Sequence, residues 1–221
     1  MGKFKNIKYS IFGKSGTGKS TFFDRMTINR DRYILLDKDD DRREILKSLN
    51  LQEVKTINEL QHLLHENYSK GFRYWYKPTS GNDQVKELSD LSLLIYNFQE
   101  QVQSKYGTNL MKRLTFGVDE LAFAYPNHKI SKEENNFLEI VNTGRNKNVE
   151  LIGASQRPAS VNVDFSAQCD VRIFFRLDWK NDQEYLVKTY GSEFRDRILN
   201  LQELEYIRLE NGLMSYGKLR F

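Results

Sequence analysis

Eight residues near the start of the chain, Gly13-Lys14-Ser15-Gly16-Thr17-Gly18-Lys19-Ser20, carry the spacing G-x-x-x-x-G-K-[ST], and Thr21 follows them. Each residue type has a chemical reason to stand there. Glycines let successive backbone N–H groups turn inward around phosphate oxygens, and a helix N-terminus behind them adds a favourable dipole. A lysine at position 19 reaches the β- and γ-phosphates, and the Ser20 hydroxyl is a hard oxygen donor suited to Mg²⁺. IKYSIF, before the loop, reads as a strand, and the residues from Lys19 read as a helix. Strand, loop and helix in that order separate a phosphate loop from an ordinary glycine-rich turn. Gly13 to Thr21 are therefore expected to cradle a nucleoside triphosphate with Mg²⁺.

A second group lies about a hundred residues on. Leu114-Thr115-Phe116-Gly117-Val118 runs directly into Asp119-Glu120. Beside a phosphate loop, an Asp at such a strand end enters the Mg²⁺ shell. A carboxylate immediately after it, Glu120, is placed to polarise an attacking water as general base. Acids also end strands as loop or helix caps, so the upstream loop is what favours the chemical reading. The pair favours hydrolysis over transfer to a hydroxyl acceptor.

A third stretch, VELIGAS from Val149, ends on Gln156-Arg157-Pro158. A neutral amide at Gln156 can orient water and register the γ-phosphate, or simply cap the strand. Arg145, at the end of the preceding helix, is expected at a domain edge, from which a guanidinium can project into a neighbour's site or lie solvated. Asp37 and Asp39-Asp40-Asp41 compete with Asp119, but they are expected instead to start a helix from Asp41 to Leu49, where acids suit the dipole. His62 and His65 have metal-compatible spacing without an evident third ligand, and read as a solvated helix face. Cys169, the single cysteine, cannot form an internal disulfide.

These residues need elements to hold them. Strands are expected at 7–12, 33–36, 72–76, 114–118, 149–154 and 171–175, and helices at about 19–28, 57–69, 83–105, 132–143 and 181–190. Apolar runs alternating with helical patterns indicate a parallel sheet with crossover helices. The end differs: Tyr206-Ile207-Arg208-Leu209 and Leu213-Met214-Ser215-Tyr216 flank Asn211-Gly212, which favours a tight hairpin turn. The expected fold is α/β, a single P-loop domain over 1–221 with a mainly parallel sheet flanked by helices and a C-terminal antiparallel hairpin.

With 221 residues, 39% hydrophobic and 13% aromatic, the chain can bury a core. No apolar run approaches the ~20 residues that span a bilayer, and MGKFKNIKYSIFG lacks an apolar signal core. A disulfide scaffold, secretion and membrane spanning are therefore not expected. The net charge of +4 leans only weakly toward polyanion partners.

The combined pattern resembles the FtsK–HerA superfamily of RecA-like, DNA-pumping ATPases. The likeness rests on GKSGTGKST at 13–21, LTFGVDE at 114–120, TGRNKNVELIGASQRP at 143–158 and QCDVRIFFRL at 168–177. It implies that Lys19 and Ser20 serve phosphate and Mg²⁺, that Asp119 serves Mg²⁺, and that Glu120 activates water. It further implies that Gln156 senses the γ-phosphate and that Arg145 acts in trans. A core of this size looks like the genome-packaging ATPases of tailless icosahedral, often membrane-containing viruses. The resemblance implies a homo-oligomeric ring, pentamer or hexamer, acting on double-stranded DNA in the host cytoplasm, with a capsid or portal vertex protein as partner and a virion-associated form. Loops Lys77–Asp83 and Tyr125–Lys132 are candidates for DNA contact. A P-loop small-molecule kinase and a filamentous-phage assembly or export ATPase are the alternatives.

Overall fold

The structure, a computed structural model, describes residue 4, residues 6–77 and residues 83–220. Most of the candidate DNA loop Lys77–Asp83 thus lies outside the described residues.

In chain order the elements are β1 (Lys8–Phe12), α1 (Lys19–Thr27), β2 (Arg32–Leu36), α2 (Arg43–Ser48), β3 (Gln52–Val54), α3 (Ile57–Asn67), β4 (Phe72–Tyr76), α4 (Gln84–Tyr106), β5 (Leu114–Val118) and α5 (Leu121–Ala124). There follow α6 (Asn136–Thr143), β6 (Val149–Ser155), α7 (Val163–Gln168), β7 (Val171–Phe174), α8 (Lys180–Tyr190), α9 (Ser192–Leu199), β8 (Glu205–Glu210) and β9 (Leu213–Lys218). The strands form one nine-stranded sheet in the order β3-β4-β2-β5-β6-β1-β7-β8-β9. Pairing is parallel from β3 to β7, and β8 and β9 are antiparallel additions.

Burial explains the strand compositions. Every residue of β2, β5 and β6 is buried, as expected where helices cover both faces of a parallel sheet. Side chains alternate between two cores. Phe12, Phe116 and Phe174 join Leu91, Ile140, Phe165 and Phe194 on the face covered by α3, α4 and α6 to α9. Ile11, Leu35, Trp75 and Ile173 join Phe23 of α1 and Leu46 of α2 on the other. At the hairpin, Asn211 (φ 51°) and Gly212 (φ 76°) are both left-handed, the conformation a two-residue turn between twisted strands requires.

The expected strands and the hairpin are present, and the aromatic segment at 72–76 is a largely buried strand. Three elements had no clear sequence signal. β3 is only three residues long, α7 six, and α9 is separated from α8 by Gly191 alone. The helix expected over 132–143 is divided into a 3-10 turn, Lys132–Glu134, and α6. Asn136 opens α6 by donating both its backbone N–H (3.2 Å) and its side-chain amide (2.8 Å) to Ser89 Oγ on α4. A tertiary contact therefore sets that start.

Gly117 controls how closely α1 lies on the sheet. A Cβ there would stand 2.8 Å from Phe23 Cζ and 2.9 Å from the Tyr33 hydroxyl. Gly117→Ala should therefore overpack the site and destabilise the protein by about 1–3 kcal/mol. Urea denaturation checks this, and an unchanged midpoint would mean that α1 yields freely.

Candidate nucleotide site at the carboxyl edge of the sheet

The carboxyl ends of parallel strands share one edge of a sheet, so the residues just after β1, β2, β5, β6 and β7 are brought together. The loop after β1 is anchored on both sides. Gly13 N–H donates to Ser155 O (3.3 Å), and Lys14 N–H donates to Arg176 O (3.1 Å). Thr17 Oγ1 closes the turn by donating to Lys14 O (2.8 Å). Gly16 (φ 80°) and Gly18 (φ 98°) adopt left-handed backbone that side chains resist. A Cβ at Gly13 would lie 2.6 Å from that of Phe175. Among the described residues, the N–H groups of Gly16, Gly18, Lys19 and Ser20 find no backbone acceptor. These donors stand at the start of a nine-residue helix, where unpaired N–H groups favour anions.

Lys19 is buried, with Nζ 3.6 Å from Asp119 Oδ1. Asp119 N–H donates to Leu36 O (3.0 Å), which pins the end of β5 to that of β2. Glu120 then turns sharply, with φ 54° and ψ 58°. Its N–H donates to Asp119 Oδ1 (3.0 Å). Its carboxylate crosses to β6, accepting from Ser155 Oγ (2.7 Å) and from Gln156 N–H (3.2 Å to each oxygen). The candidate base and the candidate sensor are thus held together through a backbone amide. β6 ends at Ser155, and Gln156 follows as an exposed residue. Beside it the Arg157 guanidinium lies over the Trp179 ring at 4.9 Å, and Lys14 pairs with Asp178 at 2.6 Å.

The acidic run needs a correction. Asp39 does cap a 3-10 turn, Asp40–Arg42, accepting from Asp41 N–H at 2.9 Å, and α2 follows. Asp37, however, is no helix starter. It is buried at the end of β2 and accepts from Arg42 Nη1 at 2.6 Å. The same guanidinium donates to Asp24 Oδ1 on α1 (2.6 Å) and closely to Asp119 Oδ2. Burial, and then the Asp119 charge, push the Asp37 carboxyl up to about 6. Burial also raises that of Asp24, against the opposing pull of Arg42.

Mg²⁺ fits the donor set, because the Ser20 hydroxyl and the Asp119 carboxylate are hard oxygens beside the phosphate cradle. Among the described residues no group of three or more His, Cys, Asp or Glu side chains could hold a metal by itself. Phosphate and water oxygens would have to complete such a shell. His62 and His65 lie on the exposed side of α3, and Cys169 is buried.

Arg145 is not brought to this site. It lies in a 3-10 turn, Gly144–Lys147, at the amino end of β6, with Nη2 3.4 Å from Asn6 O and 3.9 Å from Asp170 Oδ1. The seven residues of β6 separate it from Gln156, a span of about 20 Å. Next to Arg145, Asn6 and Asn148 border a concavity of about 580 Å³ that Arg30, Arg32, Lys112 and Arg113 also line. Asp24, Asp37, Arg42 and Ser155 are site residues that motif reading missed. For Asp37 and Ser155 a signal existed, since each stands at the carboxyl end of a strand.

No family model matches the chain, and no curated protein sequence matches it. Solved structures do. The genome packaging NTPase B204 from Sulfolobus turreted icosahedral virus 2, in complex with AMPPCP, superposes with a TM-score of 0.72 at 14% identity, covering 98% of each chain. VirB4 of Thermoanaerobacter pseudethanolicus gives 0.63 at 12% identity over 100% of this chain and 91% of that one. The cytoplasmic domain of the Thermomonospora curvata type VII secretion ATPase EccC gives 0.62 at 15% identity, over 96% of this chain and 25% of that longer one. The chain has the fold of these packaging and secretion ATPases, in agreement with the resemblance carried by the motifs at 13–21, 114–120 and 143–158.

Proposed function

We propose that residues 1–221 are one P-loop ATPase domain that hydrolyses ATP with Mg²⁺ at the interfaces of a homo-oligomeric ring and moves double-stranded DNA, as in viral genome packaging. One observation carries the reading. The donor cradle at 13–20, the Lys19–Asp119 pair and the Glu120–Gln156 contact converge on a single sheet edge. The fold shared with B204 supports the packaging role. Among the described residues no helix is long and apolar enough to cross a membrane.

In this reading the loop N–H groups and Lys19 hold the β- and γ-phosphates. Ser20 and Asp119 hold Mg²⁺, which neutralises phosphate charge when bound. Glu120 accepts the proton of a water whose oxygen bonds to the γ-phosphorus as the bond to the β-phosphate bridging oxygen breaks, leaving ADP and phosphate. Gln156 orients that water. Ser155 and the Gln156 N–H keep the Glu120 carboxylate aimed at β6. Arg145 has no route to its own site and acts on the next subunit's, where its charge balances the transition state.

Three outcomes test this. Glu120→Gln should keep nucleotide affinity within about threefold and lower turnover by at least about a hundredfold, whereas Lys19→Ala should weaken binding itself. Wild-type turnover in Glu120→Gln overturns the assignment of the base. Double-stranded DNA should stimulate hydrolysis, with affinity falling steeply as salt rises, because the grip is on phosphates. Stimulation by a small hydroxyl acceptor, with no DNA effect at any salt, would favour a kinase instead. Finally, inactive Arg145→Ala mixed with inactive Glu120→Gln should recover part of the activity, because some interfaces then pair an intact base with an intact arginine. No recovery in demonstrably mixed rings refutes the trans role.

A further inference from the structure

Asp119 has no idle oxygen. Oδ1 accepts from Glu120 N–H at 3.0 Å and faces Lys19 Nζ at 3.6 Å, while Oδ2 accepts from Arg42. The Arg42 side chain is about 10% exposed and forks among Asp24 on α1, Asp37 after β2 and Asp119 after β5. Three carboxylates therefore face two cations, Lys19 and Arg42. Removing one cation leaves buried negative charge uncompensated, and adding a divalent cation beside Arg42 brings like charges together.

We propose that Arg42 and Mg²⁺ compete for Asp119, so that a metal-bound nucleotide must draw Asp119 away from Arg42 and thereby moves the connection between β2 and α2. This rests on the nucleotide reading given above. Arg42 is a positioning residue in it, acting through Asp119. The connection is short, and its ties run to β4 and to α5: Asp37 N–H donates to Tyr76 O (3.3 Å), and Lys38 Nζ lies 3.7 Å over the Phe123 ring. Asp39 caps the turn that carries Arg42, Lys77 pairs with Asp40, and Trp75 Nε1 donates to Asp37 O at 2.8 Å. Arg43, the next residue, lies 6.0 Å over the Trp75 ring. A shift of Arg42 thus reaches a buried indole. Metal occupancy at the end of β5 would be relayed through Arg42 to α2, besides any effect on Glu120, whose N–H shares the Asp119 carboxylate.

The chain has two tryptophans, so Trp179→Phe leaves Trp75 as the single reporter. In that background AMPPCP is held at saturation, and Mg²⁺ is titrated while nucleotide binding and Trp75 emission are followed. Arg42→Gln should lower the half-saturating Mg²⁺ concentration about tenfold and abolish the Mg²⁺-induced change in Trp75 emission. Arg42→Lys keeps the charge but loses the fork and should fall between. It also decides the matter if Arg42→Gln does not fold. A residue that only stabilises the fold would lower the melting temperature and leave the Mg²⁺ requirement unchanged. An unchanged requirement in a folded variant that binds AMPPCP overturns the role of Arg42 alone. Failure of the parent protein to bind AMPPCP with Mg²⁺ overturns the nucleotide reading and this proposal together.

Discussion

The register of β1 between its two parallel neighbours governs the functional edge. Phe12, the last residue of β1, pairs with Ser155 of β6 on one side and Phe174 of β7 on the other. From that register the next two amides are already committed, Gly13 N–H to Ser155 O and Lys14 N–H to Arg176 O. A slip of one residue would send Tyr9 and Ile11 to the opposite core, because side chains alternate with a period of two. The loop therefore cannot drift relative to Gln156 without unpacking both cores. The same register brings Asp178 to Lys14, and the parallel β5–β6 pairing holds Glu120 against the end of β6.

Charge is buried at both edges of the sheet, with opposite consequences. At the carboxyl edge Arg42 holds Asp24, Asp37 and Asp119, and losing one member of such a buried set costs about 3–5 kcal/mol. At the amino edge Glu150 is buried within β6, accepting from Thr115 Oγ1 (2.9 Å) and pairing with Arg30 (2.8 Å). Arg32 there donates to the carbonyls of Tyr68 and Ser69, and Arg73 to those of Thr27 and Arg30. Carbonyls satisfy the geometry of a guanidinium without cancelling its charge. Arg32 and Arg73 therefore leave positive charge at the amino edge, where Glu150 offsets part of that of Arg30 and Arg113, whereas the carboxyl edge collects acids.

The candidate site was legible where short motifs fix neighbouring residues locally. The phosphate loop, Asp119-Glu120 and Gln156 are each read from short motifs at the ends of apolar runs, and the all-buried strands announce a covered parallel sheet. Asp37 was misread because an acidic run resembles a helix start. Its burial follows from β2 lying between β4 and β5, a strand order that local sequence does not encode. Arg42 was invisible for a stronger reason. Its role depends on a three-residue turn delivering one guanidinium to acids from three separate elements. β3 and α9 escaped notice because short or strongly polar segments carry little periodicity, and packing decides their state.

The two edges also bear on symmetry. A two-fold contact made through the amino edge would set the concavity lined by Arg30, Arg32, Lys112 and Arg113, with Asp31 the one acid among its described lining residues and Glu150 paired to Arg30 and Arg113, against its own copy. Like charges would then meet, at an energetic cost. The carboxyl edge mixes acids with Lys14, Lys19 and Arg42, and gains net negative charge from a bound triphosphate. In the proposed oligomer, amino edge against carboxyl edge would be the complementary pairing, a heterologous one. Repeated with a closing rotation, such a contact makes a ring. In the proposed ring such a contact would set Arg145, about 20 Å from its own Gln156 along β6, toward the neighbour's phosphates, and the trans role proposed for it depends on that separation.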